Sequence, residues 1–220
     1  ELKTTTNEFA KIAKKESKTL KVGRTHLQDA VPITLGQEFD SYKEALTKTA
    51  TMIELLKKDL HILGIGGTAV GTGINTDPSY QKSIVQNLAK NSKLKLIPGK
   101  NLTELANNMN SFVGLSSSLR ALAINLLNIS GDLKMMNMGP KAGLMEITLP
   151  PVQPGSSIMP GKVNPSILEA LDMICFQVIG ADHTIELAAA RSQFDLNVYC
   201  PIIIHNLLTQ IQILTNGLKM

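Results

Sequence analysis

From Ile33 to about Leu63 apolar side chains recur every three or four positions, at Leu35, Phe39, Tyr42, Leu46, Ala50, Ile53, Leu56, Leu60 and Leu63. That is the repeat of one helical face, and it predicts a helix about 45 Å long if unbroken. A lysine-rich stretch over 1–20, with Phe9, Ile12 and Ala13 on one side, reads as the end of an amphipathic helix. Asp77-Pro78 opens another helix to about Asn87. Thr103 is placed to cap a helix reaching about Met138, since no proline falls between Pro98 and Pro140. Two further helical patterns cover Ser166 to about Ala190 and Val198 to Gly217. Sustained period-two alternation occurs nowhere. The pattern therefore predicts an all-α fold, a bundle of long helices apolar over so much of their circumference that neighbouring subunits are expected to share it.

Three segments interrupt the helices. Lys21 to Pro32, with Gly23, Asp29 and Pro32, reads as a loop carrying polar groups. Gly64, Gly66, Gly67, Gly71 and Gly73 crowd the next break, but Gly71 is not followed by Lys-Ser or Lys-Thr, as a P-loop requires. No strand pattern precedes these glycines either, which excludes a dinucleotide fingerprint and leaves close backbone packing and a turn. Pro140 to Pro165 holds six prolines and three glycines. A loop of that length is uncommon in a compact domain unless it acts.

Composition narrows the function classes. With 220 residues, 43% of them hydrophobic, the chain can bury roughly 70% of its unfolded surface and needs no disulfides. The formal charge of +4 is dispersed, as at Lys11, Lys14, Lys15 and Glu16, and Trp is absent, so neither a phosphate-tracking surface nor a base-stacking platform is expected. No nucleic-acid partner is predicted. Leu196 to Leu218 carries no formal charge over a bilayer-spanning length. Its Asn197, His205, Asn206, Thr209, Gln210, Gln212 and Asn216, together with Pro201, argue for a helix buried in protein rather than lipid. Cys175 and Cys200 have neither metal-ligand spacing nor a disulfide framework, and Glu1 opens a polar stretch rather than a signal peptide, so a cytoplasmic setting is expected. An opening Glu and an uncapped end at Met220 suggest a fragment of a longer protein.

Candidate chemistry concentrates in two places. Gly155-Ser156-Ser157-Ile158-Met159-Pro160-Gly161-Lys162-Val163-Asn164-Pro165 combines glycines that let backbone N–H groups approach an anion, a compact cation at Lys162, and an amide at Asn164. A serine hydroxyl becomes a base near neutral pH only where N–H donors and cations stabilise its alkoxide. This loop has both, although by composition alone its serines would equally serve as caps for the helix at Ser166. Gly23-Arg24-Thr25-His26-Leu27-Gln28-Asp29 sets a loop histidine beside a hydroxyl, and by itself that histidine reads as structural as readily as functional. Ser116, Ser117 and Ser118 lie in a helical pattern with no base at a useful spacing, so they are expected to be small packing positions. No pair of histidines has metal-ligand spacing, so neither metal nor cofactor is predicted.

Together these blocks resemble the aspartase/fumarase superfamily, whose members cleave a C–N or C–O bond and release fumarate. The segment 155–165 is similar to its signature loop. Gly23 to Pro32 and Gly66 to Thr76 are similar to two further blocks in the same order, and the resemblance covers the whole chain. It implies that Ser156 is the general base removing a proton from carbon β, and that Ser157, Lys162 and Asn164 bind substrate, the last two holding a carboxylate. It also implies that Thr25 and His26 lie near the leaving group and that Glu169 pairs with that histidine. Removing a proton beside a carboxylate builds an aci-carboxylate, so groups that stabilise developing negative charge should dominate the catalysis.

Gln153 before Pro154-Gly155, Phe176-Gln177-Val178-Ile179-Gly180 and Thr184-Ile185 look more like aspartate ammonia-lyases than fumarate hydratases. Arg191 stands where a small residue is more usual. The expectation is conversion of L-aspartate to fumarate and ammonia, with malate/fumarate interconversion as the alternative and a non-catalytic helical scaffold as the contrasting class. The resemblance further implies a small dicarboxylate substrate and a homotetramer whose active sites draw on three subunits. Residues 1–220 correspond to its central helical domain. The upstream block of serine, threonine and asparagine that also holds substrate has no match, so the isolated segment is expected to be inactive.

Overall fold

The computed structural model describes residues 1–220. Helices carry the architecture, as the apolar repeats predict, seven in place of the six expected: α1 (Leu2–Lys15), α2 (Leu35–Leu60), α3 (Tyr80–Ser92), α4 (Leu102–Asn107), α5 (Asn110–Asn137), α6 (Ser166–Ala190) and α7 (Cys200–Gly217). The strands are few, β1 (Leu20–Thr25) pairing antiparallel with β2 (Gln28–Thr34), and the two-residue β3 (Ile62–Leu63) pairing in parallel with β4 (Ile97–Pro98).

Two local expectations are corrected. The segment 21–32 is a β-hairpin rather than a loop. Its strands show no clean alternation because β2 is exposed at five successive positions before Ile33 and Thr34, so no buried face imposed a period of two. The helix expected from Thr103 to Met138 is two helices. Asn101 rather than Thr103 caps α4, its side chain accepting the Glu104 N–H at 3.1 Å. The Asn108 side chain accepts the Asn110 N–H at 2.8 Å and restarts the chain as α5. Short amide side chains compete with the helical ladder in this way without any proline to announce it.

Two compact units divide the chain. The first comprises 1–51, 120–178 and 212–220, the second 52–119 and 179–211, and α2, α5, α6 and α7 each contribute a stretch to both. In the first unit Thr34 and Gln37 form a reciprocal capping box at the start of α2, with bonds of 2.9 and 3.1 Å. Gly36 is required there, since a Cβ would stand 2.4 Å from the Ala13 carbonyl oxygen at the end of α1. Phe9, Phe39 and Tyr42 pack as a cluster with ring centroids 5.7–6.1 Å apart. Leu46, Leu122, Leu126, Ile129, Leu133 and Val178 are buried in the same unit. Burial, with Glu38 and Asp132 nearby, raises the Tyr42 phenol far above its ordinary pKa, and its hydroxyl donates to Asp132 at 3.0 Å.

The second unit is built around Val85, Leu115, Leu119, Ile185, Ile203 and Leu207. A buried polar layer crosses it, the Ser116 hydroxyl lying 2.6 Å from Asp182 and 3.1 Å from the Gln210 amide oxygen. Ser116 and Ser118 are thus close-packed, as the sequence suggests. By length and composition α5 would suffice to cross a bilayer. Its Leu115, Leu119, Leu122, Leu126 and Leu133 are buried in protein, as expected of a core helix.

Candidate functional site

The segment 155–165 folds as a small closed loop in the first unit. Met159-Pro160-Gly161-Lys162 is a β-turn with proline at its second position and glycine at φ 82° in its third, closed by the Lys162 N–H on the Met159 carbonyl at 3.1 Å. That is the sequence chemistry of a type II turn. The loop is shut at its base by the Ser156 N–H on the Lys162 carbonyl, also 3.1 Å. Only glycine fits at 155, because a Cβ there would meet the Lys162 carbonyl oxygen at 2.7 Å.

This fold points two donors at Ser156. Its Oγ accepts the Met159 N–H at 3.1 Å and the Ile158 N–H at 3.3 Å. Backbone donors on an oxygen favour its ionised form, whatever other role they serve. Ser156 is half-buried, whereas Ser157, Lys162 and Asn164 are exposed on the same loop. A cavity of 210 Å³ borders Gly161, Val163 and Asn164. The largest cavity described, 630 Å³, lies instead at the glycine-rich turn of the second unit, around Gly66, Thr72, Asp77 and Lys100, and includes none of the expected site residues.

Thr25 and His26 stand at the tip of the β1–β2 hairpin. His26 and Leu27 form its two-residue connection, with φ of 54° and 59°. Turns of this kind demand positive φ at both central positions and favour Asn-Gly. A branched leucine at such a φ is strained, and strain of this sort collects where a side chain must be presented. Both residues are exposed. Glu169 lies exposed in the first turn of α6, its N–H on the Pro165 carbonyl at 3.1 Å. Within one chain the structure therefore gathers Ser156, Ser157, Lys162 and Asn164 on one loop and Thr25 with His26 on another. No hydrogen bond or ion pair joins His26 to Glu169 in the single chain.

A residue the sequence reading missed connects to this site. Glu146 sits in the proline-rich segment ahead of the loop, its N–H on the Met136 carbonyl at 2.8 Å. Its carboxylate accepts from Arg24 Nη1 at 2.7 Å and lies 3.0 Å from Lys21 Nζ, both on β1. Lys21 also pairs with Glu38 of α2. Burial alone would raise the Glu146 carboxyl, but bonds from Arg24 and Lys21 outweigh it and hold the group below the usual carboxylate range. Burial likewise lowers the Lys21 ammonium, and its bonds to Glu38 and Glu146 reverse the sign and raise it. The signal available in the sequence was that Glu146 is the sole acidic residue between Asp132 and Glu169.

Comparison with known proteins gives a consistent result. Residues 1–180 match a family described as Lyase. An aspartate ammonia-lyase of Bacillus subtilis (strain 168) is 46% identical over 211 residues, 96% of this chain and 44% of the relative. A class II fumarate hydratase of Neisseria meningitidis is 46% identical over 195 residues, 89% of this chain and 42% of the relative. Among solved structures, a fumarate lyase:delta crystallin of Brucella melitensis bound to cobalt superposes with a TM-score of 0.96 at 40% identity, over 99% of this chain and 47% of that one. A recombinant class II fumarase from Schistosoma mansoni gives 0.95 at 33% identity, covering 99% and 48%. The chain spans less than half the length of the relatives it matches.

Proposed function

The chain belongs to the aspartase/fumarase superfamily of lyases, and from that premise we propose that it is the central helical domain of a longer enzyme that converts L-aspartate to fumarate and ammonia. Ser156 is the general base. Its alkoxide takes the proton from carbon β, and the bonding pair enters the adjacent carboxylate as an aci-carboxylate. Collapse of that intermediate forms the C–C double bond and expels the amino group as ammonia. Lys162 and Asn164 hold the carboxylate that gathers charge, Ser157 contributes a further contact, and Thr25 and His26 receive the leaving group. Glu169, supplied by another subunit of a homotetramer, pairs with His26 and keeps its imidazole ready to exchange a proton.

The observation that carries this reading is the pair of N–H donors on Ser156 Oγ, from Ile158 and Met159. A hydroxyl held so is prepared for the charge it must bear, and Lys162 follows in the same loop. Assembly into a tetramer is supported by large apolar side chains exposed in the single chain, among them Met173, Phe176 and Leu208, each more than half accessible. A cytoplasmic setting suits two unpaired cysteines.

Interconversion of malate and fumarate is the second reading, favoured by the equal identity to the Neisseria meningitidis hydratase. Fumarate formation by the complete protein from L-aspartate and from L-malate separates the two. A rate confined to malate overturns the first. The 220-residue segment alone should tetramerise and form no fumarate, and measurable production by it would refute the need for the upstream substrate-holding block.

A further inference from the structure

We propose that Glu146 is a positioning residue for the leaving-group side of the site, acting through Arg24 and Lys21 on the hairpin that carries Thr25 and His26; this rests on the reading of the site given above.

A two-stranded hairpin is marginal by itself and takes its stance from what it packs on. Here the apolar side chains do not supply that packing: Leu20 is 75% exposed, Leu27 71% and Val31 69%. The best buried side chain on β1 is instead a charged one, Lys21, at 9%. Its ammonium meets Glu38 and Glu146, and Arg24, next to Thr25, meets Glu146. Charge rather than apolar area therefore sets the angle of the hairpin.

Glu146 itself is firmly placed. The segment 138–149 folds back on the end of α5, with the N–H groups of Met145, Glu146 and Ile147 on the carbonyls of Met138 and Met136. The Leu149 N–H is bound to the Asn137 side chain at 2.8 Å. The same anchored segment leads into the loop bearing Ser156. One carboxylate thus ties the hairpin to the segment from which the serine loop springs. Removing it frees the hairpin and leaves that loop's own closing bonds, from Ser156 and Lys162, in place. Displacement of a catalytic group by about 1 Å can cost on the order of 100-fold in rate.

The test uses the complete tetrameric protein and steady-state fumarate formation. Glu146→Gln, which keeps the shape and loses the charge, should lower kcat about 10- to 100-fold while KM changes less than about threefold, since Lys162 and Asn164 are untouched. Arg24→Gln should do the same. The double variant should lose no more than the worse single one, because both break one link. Additive losses, or a Glu146→Gln kcat within twofold of wild type, overturn the proposal. If Glu146→Gln does not assemble, Arg24→Lys, which keeps the charge and loses the planar fork, gives the same reading: a kcat loss at unchanged KM supports the proposal and an unchanged kcat overturns it. Ser156→Ala on the same protein distinguishes the failures. Loss of activity there beside an intact Glu146→Gln removes the positioning role alone, whereas full activity of Ser156→Ala removes the underlying reading.

Discussion

Gly155→Ala tests how far the chemistry of the serine loop depends on the closure of its base. A methyl group at 155 would lie 2.7 Å from the Lys162 carbonyl oxygen and 3.5 Å from its carbon. An ordinary contact needs about 3.4 Å or more, so the loop base must open by roughly 0.7 Å. In a packed core such overfilling costs about 1–3 kcal/mol. Here the atom met is a backbone oxygen, which cannot swing aside as a side chain can, so a cost of about 1 kcal/mol or more is expected even though Pro154, Ser157 and Lys162 are exposed. The opening also breaks the Ser156 N–H bond to Lys162 and shifts Oγ from its two donors. On the usual sensitivity of reacting geometry, kcat should fall about 10- to 100-fold. Fumarate absorbance in the complete protein measures the rate, and urea unfolding measures stability. A Gly155→Ala protein with wild-type kcat would show that the closure of this loop is irrelevant to catalysis.

Other substitutions probe the fold and its charges. Leu46 is fully buried in the first unit, so Leu46→Ala should cost about 2–5 kcal/mol by urea unfolding, against less than about 0.5 for Ala at the exposed Lys48. Leu27→Gly relieves a branched side chain at φ 59° that is 71% exposed, and should raise stability by about 1 kcal/mol, read as a higher urea midpoint. Burial, with Asp172 nearby, pushes the Cys175 thiol up to about 12, so iodoacetamide near neutral pH should spare it until denaturant is added, as peptide mass spectrometry would show. The folded Glu146 carboxyl titrates below its unfolded value, so its contribution is present above the unfolded pKa and is lost as pH falls through the folded one. Glu146→Gln should accordingly flatten the acid limb of Tm against pH and leave the limb above neutrality unchanged.

How much of this was legible beforehand depended on what burial imposes. The helix over Ser166–Ala190 was bounded correctly because Pro165 precedes it and an apolar repeat fills it. The hairpin was illegible for the opposite reason. With β2 exposed at five successive positions, a lysine and an arginine rather than apolar residues on the covered side of β1, and a turn through His26-Leu27 instead of a glycine pair, it offered neither an apolar alternation nor a turn signature. The break between α4 and α5 hid in Asn107 and Asn108, residues equally at home on a helix surface. In the serine loop, glycine and proline spacing foretold the turn at Pro160-Gly161, while the N–H donors on Ser156 depend on backbone directions that no residue type encodes. Glu146 escaped notice because its partners Arg24 and Lys21 lie more than a hundred positions away in the chain.

The role proposed for Ser156 is tested most directly by Ser156→Ala in the complete protein, with the rate of fumarate formation and the affinity for a non-reacting dicarboxylate such as succinate measured together. The account predicts a loss of roughly 10²- to 10⁴-fold in kcat with affinity changed less than about threefold, because the hydroxyl takes the proton while other side chains hold the substrate. A variant that forms fumarate at the wild-type rate would contradict it.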